Sequence, residues 1–115
     1  MNDSILNDVK KILGIDEADD SFDTDLIIHI NTMLLPLRQL GVNTSSDFVL
    51  HDASETWEDL IYNQNGLSAI KTWLALKVRK VFDPPQSGTT MEALNSSINE
   101  LEWRINVEVD PVKTE

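Results

Sequence analysis

Apolar and polar positions along this chain recur in steps of three and four, the period of helices rather than strands. The clearest run spans residues 66–85. Leu67, Ile70, Leu74, Val78 and Val81 fall on one stripe. Gly66 precedes the run and Asp83-Pro84-Pro85 ends it, because proline lacks an N–H and drives the residue before it out of helical geometry. A helix over residues 67–82 would be about 24 Å long. Trp73 and Leu76 lie off its main stripe, so it is apolar on more than one side. Such a helix is central in its domain or faces a partner.

The same period predicts the remaining elements. A short helix over residues 3–13 carries Ile5, Leu6, Val9, Ile12 and Leu13, with Asn2 or Asp3 as cap and Gly14 as stop. A second helix over residues 24–40 carries Leu26, Ile30, Met33, Leu37 and Leu40. Asp23 is its expected N-cap, Phe22 is expected to staple onto Ile27, and Pro36 should kink or divide it. Phe48, Val49 and Leu50 form a short extended segment, expected as a bulged loop or a small hairpin. Residues 52–62 read as a short helix capped by Ser54 or Asp52, with Trp57, Leu60 and Ile61 facing inward. The last helix follows the proline turn. Thr89 and Glu92 match a capping box, and Met91, Leu94, Ile98, Leu101 and Ile105 form the seam of a helix packed on another. The fold class is therefore mainly α, a small bundle of about four to five helices with a short extended segment near Phe48 and Leu50. It is expected as one domain over residues 1–109, with 110–115 as a flexible tail.

Composition narrows the function. The 115 residues carry a net charge of −11 and a pI near 4.4, which argues against a nucleic-acid-binding surface, since phosphate contacts need clustered Lys and Arg. An acidic wall repels DNA, which suits a conduit that must not grip it. There are no cysteines, so disulfides and cysteine-ligated zinc are excluded. The N-terminus does not read as a signal peptide, and no apolar run reaches membrane-spanning length.

Catalytic chemistry finds no complete set of roles. His29 shares a helix face with Asp25, but two ligands do not make a metal site. The acids from Asp16 to Asp25 lack the spacing of a calcium loop. No phosphate loop, nucleophile elbow or HExxH motif is present, so no catalytic residue, metal or cofactor is assigned. Against the acidic background, the stripe-bearing helix carries Lys71, Lys77, Arg79 and Lys80. These cations either neutralise neighbouring acidic helices and complement their own helix dipole, or meet an acidic surface on another subunit. Trp73 and Trp103 lie off the seams of their helices, which makes at least one an interface candidate. The candidate interface set is Lys71, Trp73, Leu76, Lys77, Arg79, Lys80 and Trp103.

Several short patterns together resemble one family. They are Leu6-x-x-Val9-Lys10-Lys11-x-Leu13-Gly14-Ile15, then Phe22-Asp23-Thr24-Asp25 with Ile28, Ile30 and Asn31, then Gln39-Leu40-Gly41-Val42 and Thr56-Trp57-Glu58-Asp59-Leu60. Val78-x-Lys80-x-Phe82-Asp83-Pro84-Pro85, Ala93-Leu94 and Glu102-Trp103-Arg104-Ile105-Asn106 complete the set. The ensemble resembles the phage head–tail connector (adaptor) proteins of long-tailed bacteriophages, of the DNA-packaging-like or tail connector type. The resemblance implies a structural virion protein, not an enzyme, that forms a homo-oligomeric ring beneath the portal, dodecameric on it. That ring would extend the DNA channel and dock a tail or stopper protein, with DNA passing through without specific binding and no membrane contact. The chain would reside in the virion, and in the host cytoplasm during assembly. Two other classes draw on the same residues. One is a small acidic phage protein, a DNA mimic or antirepressor, that inhibits a basic host partner. The other is a metal-dependent enzyme built on His29, Asp25 and acids of the loop before it.

Overall fold

In the computed structural model, which describes residues 3–62 and 65–109 (the side chain of Val109 excepted), six helical segments follow one another: α1 Ile5–Leu13, α2 Asp23–Thr32, α3 Leu34–Gln39, α4 Trp57–Leu60, α5 Leu67–Phe82 and α6 Gly88–Val109. The expected tail, 110–115, lies outside the described residues. Gly66, at φ 73, starts α5 in a left-handed turn that a side chain would strain, and Asp83 leaves helical geometry just before the two prolines.

The N-terminal helices differ from the sequence reading in instructive ways. Ser4, not Asp3, caps α1, its hydroxyl accepting the Asn7 N–H at 3.1 Å; Asn2, the other expected cap, lies outside the described residues. Asp3 is occupied elsewhere, its carbonyl by the Trp57 N–H and its carboxylate by Lys71. Gly14 stops the helix as expected, at φ 82. The single helix expected over residues 24–40 divides into α2 and α3 at Met33 rather than at Pro36. Pro36 has no N–H for the carbonyl of Thr32 four residues back, and its ring crowds that carbonyl, so the break falls a turn earlier. Asp23 is the first residue of α2 and not its cap, because its carboxylate is committed to Lys10. Phe22 sits edge-on to Phe82, with ring centroids 5.4 Å apart, so it is drawn to α5 and not to a staple on Ile27.

The connection after α3 is a loop closed by polar bonds. Residues 48–50 form no strand. The Asn31 side chain instead takes the place of a strand neighbour, accepting the Leu50 N–H at 2.8 Å and donating to the Leu50 carbonyl at 3.0 Å. That satisfies the backbone of a residue buried to 1% exposure. The helix expected over 52–62 shrinks to α4. Asp52 holds Ser54 in a turn, and Glu55 accepts the N–H groups of His51 and Asp52, so helical geometry begins only after Thr56. Thr56 and Asp59 form the capping box of α4. At α6 the box expected at Thr89 and Glu92 gives way to Ser87, whose hydroxyl accepts the Thr90 N–H at 3.0 Å.

α5 is the shared centre. It packs on α1, on α2 and on α6. Ile70, Trp73, Leu74, Ala75 and Val78 are fully buried, against Ile5, Leu6 and Val9 of α1, Leu26 and Ile30 of α2, and Leu94, Ile98 and Ile105 of α6 within one continuous core. The seam read from the α6 sequence is the face it buries. Short bridges between Ser4 and Thr56 and between Thr44 and Ile61 hook the start of α1 and the long loop onto the α4 region.

Candidate assembly surface

The cations of α5 divide by position. Lys71 points at α1, with Nζ 3.2 Å from both Asp3 Oδ2 and Asp8 Oδ2 and 5.8 Å from the ring centre of Trp57. The Trp57 indole N–H donates to the same Asp8 oxygen at 2.8 Å. Partial burial works against the charge on Lys71, but its hydrogen bonds to Asp8 and Asp3 outweigh that and raise its pKa above the ordinary lysine value. Lys77 lies over the Trp73 ring at 5.8 Å. Trp73 itself is fully buried and donates from its indole to Glu102 Oε2 at 3.0 Å. Trp73 therefore leaves the candidate interface set: it is buried and bonded to α6. Lys71 is likewise engaged inside the molecule, as the neutralising reading of the cations expects.

Leu76 and Arg79 occupy a different place. With Ile12 and Leu13 of α1, Ile15 and Phe22 of the following loop, Phe82 and the carboxylates of Asp25 and Asp83, they line an open crease of about 650 Å³ between the C-terminal ends of α1 and α5. Ile12 is 43% exposed and Phe22 41%. His29 also stands edge-on to Phe82, with ring centroids 6.3 Å apart. Arg79 and Lys80 stand in the last turn of α5, where positive charge complements the helix dipole, and Lys80 is exposed. Trp103 stands apart on α6, 68% exposed.

The loop that brings Phe22 to the crease is held by a residue to which the sequence reading gave no structural role. Lys10 is 1% exposed, and its ammonium donates to Asp23 Oδ1 at 2.9 Å and to the Glu17 carbonyl at 3.0 Å. This clasp ties the acidic loop to α1 and fixes Phe22, the residue before Asp23, against Phe82. The available signal was helical spacing: Lys10 lies four residues after Leu6, on the edge of the buried face. The crease was harder to see because Ile12, Phe22 and Phe82 meet only in space.

The acidic loop is ordered by its own side chains. The Asp16 carboxylate accepts the Ala18 N–H at 2.9 Å, and Asp19 accepts the Ser21 N–H at 3.0 Å. Hydrogen bonds from the Ser21 side chain and backbone hold the Asp19 pKa below the ordinary aspartate value. Burial pushes Glu55 up, but the donors of His51 and Asp52 prevail and lower it. Among the described residues no three His, Cys, Asp or Glu side chains come together in a metal-binding group, and no helix is long and apolar enough to cross a membrane. What the surface offers is an apolar crease with a charged rim, an exposed tryptophan on another helix and many outward carboxylates.

Neither the curated proteins nor the solved structures give a significant match to the chain. A family model described as "Phage connector protein" matches residues 5–112, from the first turn of α1 to beyond the end of α6. The chain thus belongs to the phage connector protein family, a structural family of the phage head–tail junction.

Proposed function

We propose that this protein forms a homo-oligomeric ring beneath the portal of a packaged head, extends the DNA channel, and offers its far face to the next tail or stopper component. The observation that carries this reading is the family match across residues 5–112, which takes in every helix described. The surface chemistry supports it. A ring needs a heterologous contact, in which one face of a copy meets a different face of the next. The crease between α1 and α5 and the outer side of α6 are two such unlike faces. The net charge of −11, with Asp16, Glu17, Asp20, Glu92 and Glu100 among the exposed carboxylates, suits a channel wall along which DNA slides without being held.

Native mass spectrometry over a concentration series, with imaging of the same samples and of portal-bearing heads mixed with the protein, tests this. Closed rings, free or seated on the portal vertex, are the expected result. A protein that stays monomeric in both settings contradicts it and turns attention to an acidic inhibitor of a basic host partner. Measurable binding to duplex DNA at physiological salt would contradict the channel-wall role.

A further inference from the structure

We infer that the ring contact is made by the outer side of α6, with Trp103 and Val107 of one copy seated in the crease between α1 and α5 of the next. This rests on the ring reading, since it names the two surfaces that such a ring would join. Trp103 and Val107 are one turn apart on α6 and are 68% and 41% exposed. Their positions lie roughly opposite the Leu94, Ile98 and Ile105 seam, so they face away from α5. An aromatic side chain this exposed, with an aliphatic neighbour, has the make-up of an interface anchor.

The crease has the complementary make-up. Its centre is apolar, from Ile12, Phe22, Leu76 and Phe82, and its rim carries Arg79 among Asp25 and Asp83. Beside Trp103 on α6 stands the exposed pair Arg104–Glu100, with nitrogen and oxygen 3.2 Å apart. Arg104 offers a cation for Asp25 or Asp83 of the crease, and Glu100 a carboxylate for Arg79, so charges of both signs on one surface have opposite ones available on the other. A copy cannot fill its own crease. Its Trp103 lies on the side of α6 turned away from α5, and the width of a helix, about 10 Å, stands between. The contact is therefore head-to-tail, and repeated it closes a ring or continues as a filament.

The absence of native cysteines gives a direct test. Copies carrying Ile12→Cys are mixed with copies carrying Val107→Cys and oxidised, both free and assembled on portal-bearing heads. Ile12→Cys mixed with Ser54→Cys, an exposed position elsewhere, is the control. In parallel, Trp103→Ala is followed by native mass spectrometry, with circular dichroism confirming unchanged helix content. The expected result is a disulfide-linked dimer that forms several-fold faster in the Ile12–Val107 mixture than in the control, together with loss of rings in the Trp103→Ala protein. Rings that form without this cross-link and survive Trp103→Ala overturn the contact and leave the ring reading standing. Copies that never associate, free or on heads, overturn both.

Discussion

The two sides of α5 are fastened by different chemistry. Toward α1 and the loop after it, apolar packing is reinforced by charged groups that reach across elements: Lys71 to Asp3 and Asp8, the Trp57 indole to Asp8, and buried Lys10 to Asp23 and the Glu17 carbonyl. Toward α6 there is an apolar seam, with a side-chain bond from Trp73 to Glu102 across it. α6 is the longest helix among the described residues, Gly88–Val109, yet its buried side chains are confined to Leu94, Ile98 and Ile105 of that seam. The α1 side fixes the shape of a crease, and the α6 side carries the exposed surface that we propose as an interface.

Substitutions should make that difference measurable. Leu74→Ala removes a fully buried side chain from the helix both sides share, and should cost about 3–4 kcal/mol in one cooperative denaturant transition. Two separate transitions would show that the sides do not depend on a common centre. Asp23→Ala leaves the Lys10 ammonium buried without its carboxylate; because Asp23 is itself 28% exposed, the loss should be about 3 kcal/mol, the low end for a broken buried pair. Replacing both residues by apolar ones should recover part of it, and a double-mutant cycle measures how much. Ile98→Ala should cost about 2 kcal/mol and raise amide hydrogen exchange in α6 while α1 keeps its protection. Equal loosening of α1 would erase the comparison.

The smallest effect is electrostatic. The raised pKa of Lys71 means that its ion pairs stabilise the fold fully below the ordinary lysine pKa, and that this share is lost as pH rises through the raised value. Lys71→Met should remove that alkaline dependence from the pH profile of denaturant stability. The acid side belongs to groups such as Glu55 and Asp52. Their lowered pKa values give stability that is present above the ordinary carboxylate range and lost as pH falls through the lowered ones.

The elements legible in the sequence are those whose signals are local. Both ends of α5 were set by Gly66 and Pro84, and the α6 seam by its three- and four-residue steps, because propensity and packing agree there. The division at Met33 was displaced from Pro36 since proline acts on the carbonyl four residues behind it. The helix over 52–62 was overread because Glu55 and Asp52 bind backbone N–H groups and hold a turn where the apolar period alone suggests a helix. The interface set was legible in part. Spacing identified Trp73 and Trp103 as lying off their seams, but only the fold tells them apart, one under α6 and the other on its outer side. The local pattern points Phe22 to a staple and Ile12 to a core stripe; that Phe22 instead meets Phe82 goes with the Lys10–Asp23 pair beside it, which no local pattern encodes.

The most direct test of the connector role is made in the phage that carries this chain. Its gene is disabled, and particles from the infected cells are imaged before and after adding the purified protein. The account predicts DNA-filled heads and separate tails that fail to join, with density restored at the portal vertex and joining recovered on addition. Complete, tail-bearing particles in the absence of the protein would contradict it.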